Sequence, residues 1–258
     1  MTQPFLSVII PAYNEATRIP ATLVAVDRYL RGAGFSYEVI VVNDGSTDGT
    51  ADLVRRMTHT MPHLTLIDNA ANKGKGGVVR QGFLAAHGAI RLFADADNST
   101  SIEQFHAMLP YLNGERGGQY DVVIGSRAIA GAKLDPPQPL YRRIAGKALN
   151  LITQALLLPG IWDTQCGFKA FTERAARKIF SKTRVNGWAF DVEALGLARA
   201  LGLRIKEVPV VWKNNAFSRV PLSAGLHFLS ENITIRFMLW TDAYGIRAAR
   251  NASREGRT

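Results

Sequence analysis

The sequence has one cysteine, no long apolar run and a shortage of acidic residues. Because Cys166 is alone, an intrachain disulfide and a cysteine-based zinc site are excluded. No uninterrupted apolar stretch reaches the roughly 18 residues of a membrane-spanning helix. The opening residues, MTQPFLSVIIPAYNEA, also lack the basic segment of a secretory signal. We therefore expect an intracellular, cytoplasmic protein that meets any membrane only peripherally.

Basic residues are in excess. The chain holds 31 Lys and Arg against 21 Asp and Glu, a formal charge of +10. This balance favours an anionic partner, either nucleic acid, anionic lipid or a phosphorylated substrate, although it also serves solubility. Nucleic acid is disfavoured because no basic motif with interleaved aromatic residues is present. We expect one domain over residues 1–240 and a basic tail over 241–258.

Short apolar runs alternate with helical patterns in the first half of the chain. Strands are predicted at 5–10, 38–43, 64–67, 90–94 and 121–125, and helices at 17–32, 48–60 and 76–87. This alternation predicts right-handed βαβ crossovers and a mostly parallel sheet flanked by helices, an α/β fold. Ligands bind such sheets at the carboxyl ends of the strands, where the polar clusters PAYNE, NDGSTDGT and DADNST fall.

Two further segments, 140–158 and 224–240, predict apolar helices with basic residues at or near them. Helices of this composition either pack in a core or lie in a membrane interface, with apolar side chains among acyl chains and cations at lipid phosphates. The sequence leaves both interpretations open. The proline-rich residues 135–139 predict either a surface loop over the site or a plain connector.

Asp95-Ala96-Asp97 directly follows the predicted strand 90–94. Two carboxylates there can hold Mg²⁺ or Mn²⁺ through oxygen ligands and leave positions for a diphosphate and water. A pair of aspartates spaced in this way is common, so its place at a strand end gives the prediction its weight. The alternative is a pair of solvated turn residues in which Asp97 caps the next helix.

Other polar residues end neighbouring strands. Asp44 is suited to accept hydrogen bonds from a ribose or a base, and Asp48 to cap the next helix. Tyr13 is suited to stack on a base, and Glu15 to accept from a ribose or base. Lys75 lies in NKGKGG at the start of a predicted helix, where backbone N–H groups and lysines favour an anion.

Four ordered segments, SVIIPAYNE, VVNDGSTDGT, NKGKGGVVRQG and FADAD, resemble the family-2 inverting glycosyltransferases of GT-A fold. In the second half, IGSR (124–127), DTQCGFKAFT (163–172), WAFDVEAL (188–195) and EVPVVW (207–212) are similar to the dolichyl-phosphate β-glucosyltransferase branch and its polyprenyl-phosphate relatives. The resemblance implies a single-domain, Rossmann-like GT-A fold, with a nucleotide-sugar half at 1–100 and an acceptor half at 101–240.

The resemblance also implies substrates and ligands. The donor would be UDP-glucose, the acceptor a lipid phosphate, and the place of action the cytoplasmic face of a membrane. Asp95 and Asp97 would hold Mg²⁺ or Mn²⁺. Relatives of the mannose type carry Gln two positions further on, whereas this chain has Ser99, so a hydroxyl or water would complete the shell. The residues implied in nucleotide-sugar binding are Pro11, Tyr13, Asn14, Glu15, Asp44, Lys75, Asp95, Ala96 and Asp97.

The acceptor side is predicted from charge. A lipid phosphate is anionic near neutral pH because its second pKa is about 6, so it needs a cationic seat more than a base. Arg127 and Arg219 are the predicted seat, and Asp163 and Gln165 are expected to line the pocket. Asp191 would orient the acceptor or a sugar hydroxyl, or act as base toward a hydroxyl acceptor. The predicted catalytic residues are Asp97, Arg127 and Asp191.

Two other functions stay open at this point. One is a GT-A transferase that uses GDP-mannose or another nucleotide sugar with a hydroxyl acceptor, in which Asp191 is a true base. The other is a nucleotidyltransferase, which shares a Rossmann-like sheet and paired carboxylates. A glycine-rich loop after the first strand would favour it, but PAYNE stands there.

Overall fold

A seven-stranded sheet forms the centre of the computed structural model, which describes residues 3–136, 140–213 and 224–247. Its strand order is β3-β2-β1-β4-β7-β5-β8, and β6 and β9 pair as a small parallel sheet beside it. Only β7 runs antiparallel to its neighbours β4 and β5. The strands are β1 Leu6–Ala12, β2 Tyr37–Asp44, β3 Leu64–Asn69, β4 Ile90–Ala94, β5 Val122–Ser126, β6 Lys133–Asp135, β7 Phe168–Thr172, β8 Ile205–Pro209 and β9 Val211–Lys213.

Helices cover both faces of the sheet. Along β1, Val8 and Ile10 join the core on one face and Ile9 joins the core on the other, as the two-residue period of a strand requires. The predicted α/β fold with a mostly parallel, helix-flanked sheet is therefore confirmed. The helices are α1 Ile19–Arg31, α2 Thr50–Met57, α3 Lys75–Ala85, α4 Leu109–Leu112, α5 Leu140–Leu156, α6 Glu173–Phe180, α7 Phe190–Ala200 and α8 Ala224–Trp240, with a 3-10 helix at Ile102–Ala107.

The helices α5 and α8 pack on each other through a polar contact in an otherwise apolar interface. Asn232 Nδ2 donates to Thr153 Oγ1 at 2.8 Å, and both residues are fully buried. Phe228 and Ile235 lie on the same buried face of α8 as Asn232. A core position therefore accounts for one face of α8.

The other faces of these two helices are apolar and exposed. On α8, Ile233, Phe237 and Trp240 recur at helical spacing opposite the buried face, and Trp240 is 67% exposed. On α5, Leu151 and Ile152 are exposed next to the buried Thr153. Among the residues described, no helix has the length and hydrophobicity needed to cross a bilayer.

The segment after α8 packs against the domain as far as the structure describes it. Tyr244 is buried, and its hydroxyl donates to Glu193 Oε1 at 2.7 Å. Residues 248–258 lie outside the described residues, as do 137–139 of the proline-rich segment. The division of the chain at residue 240 stays a prediction.

A close approach between α3 and the sheet gives a test of this packing. A Cβ on Gly82 would lie 2.4 Å from Ile9 Cγ2. Gly82→Ala is therefore expected to destabilise the protein by about 1–2 kcal/mol, because overpacking outweighs the better helix propensity of alanine. Urea unfolding measures the change. Gly146→Ala on α5, where a Cβ meets nothing within 4 Å, is the matched control and should not destabilise; equal losses would contradict this packing.

Candidate active site

Polar side chains gather at the carboxyl ends of β1, β2 and β4, as the parallel arrangement predicts. Asp44 ends β2 and is buried, and the Lys73 N–H donates to its Oδ1 at 2.6 Å. Burial raises the pKa of Asp44 above its usual value, although backbone hydrogen bonds from residues 73 and 74 oppose the rise. Asp44 therefore ties β2 to the loop that begins α3, with one carboxylate oxygen already engaged.

The PAYNE loop after β1 is tethered to the loop after β2. Asn14 adopts a left-handed backbone conformation, with φ 54°, that asparagine tolerates better than most residues. Its N–H donates to Ser46 Oγ at 2.9 Å, and its Oδ1 accepts from the Thr47 N–H at 2.9 Å. Tyr13, beside it, is 48% exposed. The loop thus holds Tyr13 outward, where its ring is open to a base.

Arg18, which was not predicted as a site residue, links the PAYNE loop to the acidic pair. It pairs with Glu15, and its Nη1 lies 4.0 Å from Asp97 Oδ2.

Pro11 and Ala96, both predicted to bind the nucleotide sugar, are buried. The Ala96 carbonyl accepts a hydrogen bond from the Thr22 hydroxyl. These two residues therefore support the loops at this edge of the sheet from the protein interior.

Asp95 and Asp97 stand at the edge of the sheet just beyond β4. Lys75, the first residue of α3, places its Nζ 2.7 Å from Asp95 Oδ1. Burial lowers the pKa of Lys75, but the charges of Asp95 and Asp191 outweigh it and the net pKa is raised. Asp97 accepts from the Ser99 N–H at 2.9 Å. No side chain caps the following 3-10 helix, so the alternative of a capping Asp97 is wrong.

A second ion pair lies behind the first and was missed by sequence reasoning. Lys169 on β7 is 1% exposed, and its Nζ lies 2.7 Å from Asp191 Oδ1 and donates to the Cys166 carbonyl at 2.5 Å. Lys169 thus supplies the buried Asp191 with a counter-ion inside the protein. Burial raises the pKa of Asp191, while Lys169 opposes the rise. A lysine inside the apolar strand FKAFT was the available signal.

Gly167 makes room for the acidic pair. A Cβ at this position would lie 1.7 Å from Asp95 Oδ2, so any larger residue would displace the Asp95 carboxylate. The Asp95 N–H donates to the Gly167 carbonyl at 3.1 Å, and this bond joins the DTQCGF segment to the end of β4. The neighbouring Cys166 is fully buried, and burial raises the pKa of its thiol to about 12. Cys166 is therefore a packed side chain and not a nucleophile.

Arg127 and Asp163, predicted as separate acceptor residues, are partners. Arg127 Nε and Nη2 donate to the two oxygens of Asp163 at 2.8 and 2.9 Å, and its N–H also donates to Oδ2. The guanidinium also lies over the Trp212 ring at 5.5 Å. Burial opposes ionisation of Asp163, but Arg127 outweighs it and lowers the pKa of that carboxyl. Gln165 is exposed, and its N–H donates to Asp163 Oδ1 at 3.2 Å.

Two predictions from the sequence need separate statements. Arg219 lies outside the described residues, so its place at the site stays a prediction. Asp48 was expected to cap α2, but the helix begins at Thr50 and Gly49 occupies the cap position. The Asp48 carboxylate still accepts from the Thr50 N–H at 3.0 Å. Asp48 therefore lies one residue before the cap position, because α2 begins later than predicted, at Thr50.

The side chains at this edge fit a divalent cation in part. Asp95 and Asp97 offer hard oxygen ligands, and the buried Ser99 Oγ has no hydrogen-bond partner in the described part of the chain. Within that part, no three acidic, histidine or cysteine side chains cluster as metal ligands. The donor set therefore suits Mg²⁺ or Mn²⁺ only if a diphosphate and water supply the remaining oxygens.

Comparison with known proteins agrees with this geometry. The model of glycosyl transferase family 2 matches residues 7–180, more than half of the chain. This chain belongs to glycosyl transferase family 2. The dolichyl-phosphate β-glucosyltransferase of Dictyostelium discoideum is 36% identical over 242 residues, which cover 90% of this chain and 74% of that protein. The human protein of the same name is 33% identical over 255 residues, covering 95% and 79%.

Solved structures show the fold of this family 2 glycosyltransferase. Glucosyl-3-phosphoglycerate synthase of Mycobacterium tuberculosis, in complex with UDP, superimposes with a TM-score of 0.64 at 18% identity, covering 90% of this chain and 80% of that one. A mannosyltransferase of Pyrobaculum calidifontis, in complex with GDP-Man and Mn²⁺, gives 0.62 at 24%, covering 92% and 64%. The predicted GT-A fold is confirmed.

The buried pair of this glycosyltransferase gives a pH-dependent prediction. Lys169→Met is expected to lower the free energy of unfolding by about 3 kcal/mol near pH 8, because Asp191 then loses its buried counter-ion. Burial raises the pKa of Asp191 in the folded state. Below about pH 3.9, the pKa of an aspartate in the unfolded chain, Asp191 is protonated in both the folded and the unfolded state, and the loss of stability disappears. The loss grows as pH rises and is complete above the pKa of Asp191 in the folded state.

Urea unfolding at pH 5 and pH 8 measures this difference. The matched control is Lys169→Met/Asp191→Leu, which removes both charges and should show little difference between the two pH values relative to the unsubstituted protein. A loss of the same size at both pH values in the single variant would contradict a raised pKa of Asp191 in the folded state.

Proposed function

We propose that this glycosyltransferase moves glucose from UDP-glucose to a polyprenyl or dolichyl phosphate, with inversion to a β-linked product, at the cytoplasmic face of a membrane. The observation that carries the proposal is the pairing of Lys75 with Asp95 beside Asp97 at the sheet edge. This edge combines carboxylates for a cation with a cation for a diphosphate. The relatives named dolichyl-phosphate β-glucosyltransferase support the sugar and the acceptor.

On the donor side, some residues are assigned to the nucleoside of the donor and others to its diphosphate. Tyr13 is exposed for stacking, and Asp44 and Glu15 lie beside the same loops. Lys75 supplies a positive charge to the diphosphate as it leaves. A divalent cation held by Asp95 and Asp97 would offset the negative charge that develops on that diphosphate. Until the donor arrives, Lys75 neutralises Asp95, so the donor competes with a preformed ion pair.

On the acceptor side, charge separates the tasks of Arg127 and Asp191. An anionic phosphate is repelled by Asp191, so we assign Asp191 to a sugar hydroxyl, from which its carboxylate can accept a hydrogen bond. Arg127, held in place by Asp163, presents its guanidinium to the acceptor phosphate. The acceptor phosphate is already ionised and attacks without a protein base.

A hydroxyl acceptor, the second candidate, requires Asp191 to remove a proton. The raised pKa of Asp191 makes it a stronger base than an ordinary carboxylate, but its ion pair with the buried Lys169 opposes protonation. The neighbouring mannosyltransferase structure with GDP-Man shares only the fold at 24% identity. The phosphate acceptor is therefore the better supported of the two.

Transfer assays test the donor, the acceptor and the acidic pair together. The purified protein is incubated with Mn²⁺, a short polyprenyl phosphate and radiolabelled UDP-glucose, GDP-mannose or UDP-GlcNAc, and label is counted in the organic phase. We expect label only with UDP-glucose, and a loss of about 100-fold in Asp97→Asn because the cation that would offset the charge of the leaving diphosphate loses one charged ligand. Asp52→Asn, at an exposed aspartate on α2, is the matched control.

The outcomes of the assay separate the candidates. Label with GDP-mannose alone would replace the sugar and the nucleotide in this proposal. Label that appears only when the polyprenyl phosphate is exchanged for a soluble hydroxyl acceptor would favour the second candidate. Full activity in Asp97→Asn would overturn the assignment of the acidic pair.

The exposed faces of α5 and α8 are the surface that we assign to the bilayer. Ile233, Phe237 and Trp240 are apolar and exposed, and Arg236 lies among them. Neither helix contains an acidic residue except Glu231, whose carboxylate is engaged with the backbone of residue 189. Apolar side chains beside cations complement an anionic lipid surface. This surface would bring a lipid phosphate to the acceptor side of the site.

Vesicle flotation tests this surface without reference to turnover. Phe237→Ser/Trp240→Ser is expected to weaken binding to vesicles of phosphatidylcholine and phosphatidylserine by about 100-fold, because two large apolar side chains no longer enter the interface. Val24→Ser/Leu84→Ser removes two exposed apolar residues from α1 and α3 and is the matched control. Equal binding by both variants would contradict the assignment.

A further inference from the structure

A single carboxylate joins the exposed helix α8 to the turn that begins α7. Glu231 Oε2 accepts from the Ala189 N–H at 2.8 Å, and Ala189 is the residue that caps α7. A Cβ on Gly187 would lie 1.8 Å from Glu231 Oε1, so only glycine leaves room for this carboxylate. The positive end of the α7 dipole further favours a negative charge there. The Glu231 carboxylate therefore packs closely into the turn 187–189.

The turn 187–189 carries residues that reach into the active site from two sides. Trp188 is 43% exposed, and its ring lies 5.5 Å from the Nζ of Lys75, the partner of Asp95. Asp191 follows two residues after the turn and pairs with Lys169. A displacement of the turn would therefore move an aromatic ring at the diphosphate side and a carboxylate at the sugar side.

On α8, Glu231 projects from one side, and the exposed apolar residues Ile233 and Phe237 follow within two turns. No other side chain described on α8 donates to or accepts from the turn 187–189 in a hydrogen bond. Further along the two helices, Leu239 of α8 approaches Gly196 of α7. Glu231 is thus a polar connection between α8 and the acceptor side.

We propose that Glu231 is a positioning residue through which docking of α8 on a bilayer restrains the turn 187–189 and the start of α7. This inference rests on the proposed function for the bilayer surface and the acceptor. A bilayer that holds the outer face of α8 reduces the motion of that helix, and the hydrogen bond to Ala189 passes the restraint to Trp188 and Asp191. The free enzyme is then less ordered on its acceptor side than the docked enzyme.

Hydrogen exchange measures this restraint independently of turnover. The probe is a vesicle of phosphatidylcholine and phosphatidylserine, and the readout is amide exchange in peptides that cover residues 186–192. On vesicle binding we expect exchange there to slow by about tenfold, an energy equal to one ordinary hydrogen bond, in the unsubstituted protein and not in Glu231→Ala. Thr234→Ala is the matched control, because that exposed hydroxyl bonds only within α8, and it should behave as the unsubstituted protein does.

Two further variants keep the test decisive if Glu231→Ala folds poorly. Glu231→Gln retains an oxygen that can accept from Ala189 and should restore much of the slowing. Gly187→Ala crowds the carboxylate from the opposite side and should abolish it. Thermal unfolding of every variant separates a local change from global loss of structure.

Steady-state kinetics supplies a second readout. With polyprenyl phosphate in vesicles, Glu231→Ala is expected to raise the KM for the lipid acceptor by about tenfold, as one lost hydrogen bond allows, while the KM for UDP-glucose changes little. Slowing of exchange in Glu231→Ala equal to that in the unsubstituted protein would overturn the inference even if transfer is normal. Slowing that depends on Glu231, in a protein that transfers no glucose, would instead leave the coupling standing and reject the proposed function.

Discussion

The active site depends on two lysine–aspartate pairs, of which Lys169 and Asp191 are buried and Lys75 and Asp95 are partly exposed. Removing a charge from water costs several kcal/mol, and only a close opposite charge recovers it. Lys169 satisfies this with Asp191, and Lys75 with Asp95, each at 2.7 Å. The four residues come from β7, α7, α3 and β4. A shift of any of these elements would separate a pair, so the electrostatic requirement holds the four elements in one geometry.

The position of β7 makes this geometry possible. The strand enters between β4 and β5 and runs antiparallel to both. Its preceding loop, DTQCGF, therefore arrives at the same edge at which β4 ends with Asp95. The close approach requires Gly167, and the same loop supplies Asp163 to Arg127 at the end of β5. One strand thus connects the acidic pair with Arg127.

The two helices α5 and α8 extend this organisation to the surface. The buried bond between Thr153 and Asn232 fixes them to each other. Asn150 on α5 donates to the carbonyl of Trp162, next to Asp163, and Glu231 on α8 accepts from Ala189. Each helix that exposes apolar side chains therefore also contacts a loop of the site. The proposed function would use this arrangement, because the surface that we assign to the bilayer and the proposed acceptor side are built from adjoining elements.

The sequence by itself determined the strand and helix alternation, the edge at which the polar clusters meet, and the acidic pair after β4. These follow from local periodicity and turn chemistry, which act over a few residues. It also identified Lys75 and Asp191 as candidate site residues, but not the residues with which they pair. Only the tertiary structure decided that Lys169 is the partner of Asp191, that Arg127 and Asp163 neutralise each other, and that Glu231 holds the turn before α7. Those contacts depend on the strand order around β7 and on helix packing, and no local pattern encodes which distant side chains such packing brings within hydrogen-bond distance.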